Sequence, residues 1–216
     1  MVNNSRSGSF DLHLDRVDEK WAWKLPDLDY AIISAAHWFF RKNYLYNQGK
    51  LIGCVYCSEP NVTNFDLQYA LRMSFRGALE HISACQECRN KGMVTLVRTF
   101  SPAHFENGAW DTGGTCNHTS PYTEDQAKDK TFELELGSIQ VAEVQRIRRE
   151  GKGIVGVLDV TKAMLMRPDG HPGEFWGNKW MKGYNDCVHW CLPGPIDMWS
   201  DLLFAVLQKE VRLAQQ

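Results

Sequence analysis

The chain has 216 residues, 44% of them hydrophobic and 23% charged, which suffices for one sizeable core and argues against disorder except at the ends. Its 24 basic and 26 acidic side chains leave a formal net charge of -2, and no basic stripe is interleaved with aromatics, so neither nucleic acid nor an anionic membrane is expected as a partner. No apolar run reaches the length of a membrane span, and MVNNSRSGSFDLHLD has neither the basic nor the apolar region of a secretory leader.

Residues 1-28 read as a polar lead-in and partial loop. From Asp29 to Ala36 a continuous apolar run predicts a buried strand of a parallel sheet, ending at His37-Trp-Phe-Phe-Arg41. Lys50 to Tyr56 predicts an edge strand, entered through the turn signal Asn47-Gln-Gly49. Between Asn64 and Cys85, Leu67, Leu71, Phe75, Leu79 and Ile82 recur at helical spacing with Arg72, Arg76 and Glu80 between them, the pattern of an amphipathic helix. Met93 to Phe100 is rich in β-branched residues and reads as a buried strand, ending in Ser101-Pro-Ala-His-Phe-Glu106. The loop from there to about Lys130 is too long for a mere connector and reads as functional or disulfide-pinned. A second helix follows, with Leu136, Ile139, Val144 and Ile147 on one face and arginines at its end, where cations favour the dipole. Gly153 to Asp159 is a third buried strand, and a last helix runs from about Pro195 to Val211. Strands separated by helices of these lengths make right-handed βαβ units, hence an α/β fold with helices on both faces of a parallel sheet. Chemistry in such sheets gathers at the carboxyl ends of the strands, where His37, Ser101 to Glu106 and the loop before Asp186 all fall.

Seven cysteines stand at 54, 57, 85, 88, 116, 187 and 191. The pairs Cys54-x-x-Cys57 and Cys85-x-x-Cys88 admit a four-thiolate zinc site, but the stretch between them is long and itself helical, and disulfides in an oxidising compartment fit better. No metal is therefore assigned. Three glycosylation triplets, at Asn3, Asn61 and Asn117, point the same way, toward a secretory lumen. The odd seventh cysteine implies a free thiol or a partner outside the chain. Eight Trp, seven Tyr and ten Phe are many for this length; most fill the core, although flat apolar faces also suit sugars.

The stretch Tyr184-Asn-Asp-Cys-Val-His-Trp-Cys-Leu-Pro-Gly-Pro carries the chemistry. Asp186, three residues before His189, can accept from Nδ1 and leave Nε2 as a general base toward a hydroxyl nucleophile. An Asp capping a turn beside a packed His would give the same spacing, but Cys187, Cys191, Pro193 and Pro195 fix the loop on both sides of the His, as positional precision requires.

Tyr184 to Asp197, together with Arg98-Thr-Phe-Ser-Pro-Ala-His-Phe-Glu-Asn-Gly-Ala-Trp-Asp-Thr-Gly-Gly-Thr-Cys116, Ala36-His-Trp-Phe-Phe-Arg41 and Met166-Arg-Pro-Asp-Gly-His-Pro172, resembles the C-terminal half of the plant trichome birefringence-like family. The resemblance runs from about Phe10 to Leu207 and is nearest in flavour to members acting on xyloglucan. It implies an SGNH-hydrolase-like three-layer α/β/α fold, incomplete at its N-terminal side, with residues 29-216 as the C-terminal part of the acyltransferase domain. It also implies acetyl transfer from an acetyl-CoA-type donor, through an acyl-serine, to a cell-wall polysaccharide hydroxyl on the lumenal side of the Golgi. Asp186 and His189 match the family's catalytic pair, whereas its Gly-Asp-Ser serine and its membrane anchor lie upstream of the region that aligns, and no Gly-Asp-Ser occurs here. Ser101 ends a strand, but its Ser-Pro context is a loop feature of the family. Arg98, His104, Arg167, Asp169 and His171 match family motifs and either line the site or brace its loops, as does His37. Cys116 is expected, by the resemblance, to bridge to Cys187 or Cys191. The competing readings are an SGNH-type esterase that uses water as acceptor and an inactive carbohydrate-binding remnant.

Overall fold

The computed structural model describes residues 2-4, 8-177, 179 and 183-214. In chain order the elements are β1 (Val2–Asn4), β2 (Ser9–His13), α1 (Glu19–Ala22), β3 (Tyr30–Ser34), β4 (Asn43–Asn47), β5 (Lys50–Val55), α2 (Leu67–Ala84), α3 (Gln86–Lys91), β6 (Val94–Arg98), α4 (Glu124–Ala127), α5 (Thr131–Arg149), β7 (Ile154–Leu158), α6 (Thr161–Leu165) and α7 (Pro195–Ala214).

The three strands read as parallel pair as such, in the order β3-β6-β7, with Tyr30 opposite Val94 and Val94 opposite Ile154. Helices α2 and α5 cover one face. Leu71, Phe75 and Leu79 of α2 join Leu136, Ile139, Val144 and Ile147 of α5, Val97 of β6 and Val155 of β7 in one buried cluster. On the other face α7 packs on β7 and β6, with Met198, Trp199, Leu202 and Val206 against Leu158, Val160 and Met164. This is the three-layer α/β arrangement expected from the sequence.

The helices hold for local reasons as well. Asp66 caps α2, its carboxylate accepting from the Tyr69 N–H at 2.6 Å. Glu143 of α5, only 2% exposed, accepts from Arg76 of α2 at 2.9 and 3.2 Å and from Arg146 at 2.9 Å. Burial pushes its carboxyl up, but the two guanidinium groups outweigh this and hold it below the usual range. The α2–α5 contact thus has an apolar body and an ion-paired seam.

Three expectations change. First, the lead-in is not only loop: β2 runs parallel to β4 and delivers Leu12 to the core, while β4 returns antiparallel into β5, giving a second sheet in the order β1-β2-β4-β5. The edge strand expected from Lys50 is β5, whereas β2 and β4 escape sequence reading because polar residues such as Asp11 and Asn43 interrupt their alternation. The turn between β4 and β5 was legible; Gln48 and Gly49 both take positive φ, 50° and 73°, as a two-residue hairpin turn requires. Second, the strand after Asp29 is not buried. Residues Tyr30, Ile32 and Ser34 of β3 are exposed, because α7 lies over β7 and β6 and, among the described residues, no strand pairs with the outer edge of β3. Third, the short helices α1, α3, α4 and α6 were not assigned, since four to six residues carry too little periodicity to be read.

Candidate active site

The carboxyl ends of β3, β6 and β7 converge, and the loops that leave them meet a long loop preceding α7. His189 and Asp186 lie in that long loop. The ring Nδ1 of His189 is 2.8 Å from Asp186 Oδ2, and an ionised carboxylate can only accept, so Nδ1 carries the proton and Nε2 is the basic nitrogen. The other carboxylate oxygen, Oδ1, accepts from the N–H groups of Val188 at 3.1 Å and His189 at 2.9 Å. Asp186 therefore caps the turn and orients the imidazole at once, so the two readings of the spacing are one structure. Its carboxyl is pushed up by burial but more strongly held down by these donors. The two side chains differ sharply in exposure, 79% for His189 against 9% for Asp186, so the acid is sheltered and the base faces outward.

A second loop, carrying Met166 to Pro172, holds the first in place. Gly173 and Asp186 exchange backbone hydrogen bonds at 3.0 and 2.9 Å, and Cys191 N–H donates to the Gly170 carbonyl at 2.9 Å. Between these two ties His171 Nδ1 lies 2.6 Å from the His189 carbonyl oxygen. Gly170 is needed for the approach: a Cβ there would stand 2.4 Å from a Pro195 ring carbon and 3.1 Å from the Trp190 ring. Trp190 in turn packs on the His171 ring with centroids 4.0 Å apart. The sequence reading missed Trp190, although its position next to His189 was a signal. The segment from Trp176 to Trp180 falls partly outside the described residues.

His171 has a partner behind it. Its Nε2 is 2.8 Å from His104 Nδ1, and His104 Nε2 is 3.1 Å from the Leu165 carbonyl. Two carbonyls can only accept, so filling all three contacts takes three protons on four ring nitrogens, one more than two neutral imidazoles hold. Burial opposes that third proton. It pushes His104 down from 6.5 to about 4, against the pull of the Leu165 carbonyl, and lowers His171 as well. His104 N–H also donates to the Cys187 carbonyl at 3.0 Å, so both histidines brace the catalytic loop through its backbone.

His37 stands at the end of β3, pushed to about 4 by burial first and then by the charges of Arg98, His189 and His171, which places its ring within electrostatic reach of the pair. Arg98 is a brace. Its Nε donates to Ser34 Oγ at 2.9 Å, its Nη1 to Ser101 Oγ at 2.9 Å, and its guanidinium lies 4.6 Å from the Trp199 ring centroid, tying together β3, β6 and α7. Ser101 is thereby buried and occupied. Arg167 and Asp169 form a two-pronged ion pair at 2.8 and 3.0 Å within their own loop. Among the described residues no hydroxyl bonds His189 Nε2.

Of the cysteines, Cys116 pairs with Cys187 across 71 residues, joining the long loop after β6 to the loop of the catalytic pair. Cys54 pairs with Cys57 and Cys85 with Cys88, so the four-thiolate alternative does not form among the described residues. Cys191 is the free thiol, pushed up by burial and by the Asp186 charge. Asn61 and Asn117 are exposed; the triplet beginning at Asn3 ends outside the described residues.

Over 211 residues the chain is 60% identical to Xyloglucan O-acetyltransferase 4 of Populus trichocarpa, covering 97% of this chain and 50% of that protein. Over 212 residues it is 57% identical to Xyloglucan O-acetyltransferase 3 of the same species, covering 97% and 53%. Protein trichome birefringence-like 20 of Arabidopsis thaliana is 43% identical over 205 residues, 92% of this chain and 42% of that protein. The chain spans about half the length of the curated relatives it matches. Residues 1–206 match the PC-Esterase family, described as the GDSL/SGNH-like acyl-esterase family found in Pmr5 and Cas1p. A parallel α/β sheet with an Asp–His pair at its carboxyl ends agrees with that match, and the chain belongs to the PC-esterase, GDSL/SGNH-like acyl-esterase family.

Proposed function

We propose that this chain provides the acid–base half of a polysaccharide O-acetyltransferase acting on a xyloglucan-like hemicellulose. The observation that carries the reading is the contact between sheltered Asp186 and outward-facing His189, which leaves a basic Nε2 at the molecular surface. The relatives named for xyloglucan acetylation supply the substrate class.

In this scheme a serine hydroxyl, brought to Nε2 by sequence that matches no Gly-Asp-Ser in this chain, attacks the carbonyl of an acetyl thioester. His189 takes the hydroxyl proton, the carbon–sulfur bond breaks, and the imidazolium returns the proton to the departing thiolate. A sugar hydroxyl then attacks the acetyl-serine; His189 takes its proton and gives it to the serine oxygen as that ester bond breaks. Asp186 stays ionised throughout and stabilises each imidazolium. The disulfides favour an oxidising lumen such as the Golgi as the place of action.

The test is to join the chain to a segment that carries the Gly-Asp-Ser serine, incubate the joined protein with an acetyl thioester and a xyloglucan oligosaccharide, and follow the oligosaccharide by mass. One added acetyl group, lost in His189→Ala, supports transfer. Free acetate released by His189 without acetylated sugar would instead make the protein an esterase.

A further inference from the structure

Two exposed tryptophans take no part in the acetyl transfer chemistry. Trp38 and Trp110 are 58% and 50% exposed, unusual for the largest apolar side chain. They come from segments far apart in sequence, yet one guanidinium lies over both: Arg41 is 4.7 Å from the Trp38 ring centroid and 5.9 Å from that of Trp110. Arg41 is exposed, and among the described residues no carboxylate pairs with it.

Each indole is held by its surroundings. Trp38 sits in the 3-10 turn His37–Phe39 directly after His37, whose ring senses the charge of His189, and Phe10 meets its edge at a centroid distance of 5.7 Å. Trp110 tops a turn whose backbone is satisfied internally, with Ala109 N–H donating to Thr112 Oγ1 at 2.7 Å and Gly114 N–H to the Ala109 carbonyl at 2.9 Å. The turn closes on mutual backbone bonds between Glu106 and Thr115 at 2.7 and 2.9 Å, and the next residue, Cys116, is bonded to Cys187 between the catalytic acid and base. Both rings are thus tied to the segments that carry the chemistry.

We propose that Trp38, Arg41 and Trp110 form the acceptor platform on which pyranose rings of a neutral polysaccharide chain rest beside His189. An indole face matches the axial C–H face of a pyranose, and the guanidinium between the rings offers planar N–H donors to sugar hydroxyls. A neutral chain fits better than a polyanion, since a single arginine provides the cationic contact and the protein as a whole is slightly acidic. The proposal rests on the acceptor class given above and adds the place where that acceptor binds.

The experiment is calorimetric titration of the full chain with a xyloglucan-derived oligosaccharide, for the wild type, Trp38→Ala, Trp110→Ala, Trp38→Tyr and Trp23→Ala. Each tryptophan-to-alanine change raises Kd by about tenfold or more, as loss of one stacking face does, while Trp38→Tyr restores most of the affinity and melting temperatures stay put. Trp23→Ala, at an exposed tryptophan outside the platform, keeps the wild-type Kd. Wild-type affinity within about twofold in both alanine variants overturns the platform, as does a wild-type chain that does not bind the oligosaccharide. Tryptophan-dependent binding with no acetyl transfer once the Gly-Asp-Ser segment is joined to the chain keeps the platform and removes the transferase reading; transfer by that joined protein with a KM that ignores both tryptophans does the reverse.

Discussion

Helices α2 and α5 are joined by burial of Leu71, Phe75, Leu79, Leu136, Val144 and Ile147, whereas in the loop from Asp186 to Cys191 only Cys187 is fully buried. That loop is positioned by a disulfide, by backbone bonds to Gly170 and Gly173, and by the His104–His171 pair behind it. Burial is non-directional and tolerates small shifts, so it suits a scaffold. A base that must present one ring nitrogen to a reacting oxygen needs directional contacts, and these are what the loop contains. Stability and chemistry should accordingly respond to different substitutions.

The largest separation is expected at the catalytic pair. In the acetyl-transfer assay Asp186→Asn lowers turnover by about 10⁴-fold, because the amide supports the wrong imidazole tautomer, while Oδ1 still accepts from the turn N–H groups and the melting temperature hardly moves. Turnover near the wild-type level would remove the assignment of base and orienter.

Opening the cross-link tests whether the loop depends on it. Cys116→Ser costs about 4 kcal/mol of unfolding free energy, the loop-closure entropy of a long bridge. Non-reducing peptide mapping of the wild type should recover Cys116 joined to Cys187 and Cys191 free; all three as free thiols would contradict the pairing.

In the scaffold, Leu71→Ala is expected to cost about 3 kcal/mol, the usual range for a fully buried leucine, with oligosaccharide affinity unchanged at temperatures where the variant is folded. A matching loss of affinity would mean that the two regions are coupled more tightly than their contacts imply.

The smallest effect sharpens the comparison by pH. His104 is near 4 in the folded protein and 6.5 when exposed, so between these values the unfolded chain binds more protons and stability falls as pH falls. From pH 7 to pH 5 the loss from this residue is about 2 kcal/mol. Urea unfolding at the two pH values should show a smaller difference in His104→Phe than in the wild type; equal differences would place the acid sensitivity elsewhere.

Residues whose role is written in local order were readable from the sequence. The spacing of Leu67, Leu71, Phe75, Leu79 and Ile82 gave a helix and its buried face together, and β6 and β7 declared themselves by continuous apolar runs between two covering layers. Asp186 and His189 were legible because three residues of one turn suffice to bring carboxylate and imidazole together. The open face of β3 could not be read, since Asp29 to Ala36 has the same apolar composition whether or not a layer covers it. Nor could the choice of Cys187 over Cys191, the contact of His104 with His171 across 67 residues, or the meeting of Trp38 and Trp110 over Arg41. Each of these depends on where two remote loops end in space, and that is set by the packing of α2, α5 and α7 on the sheet rather than by any local preference of the residues that meet.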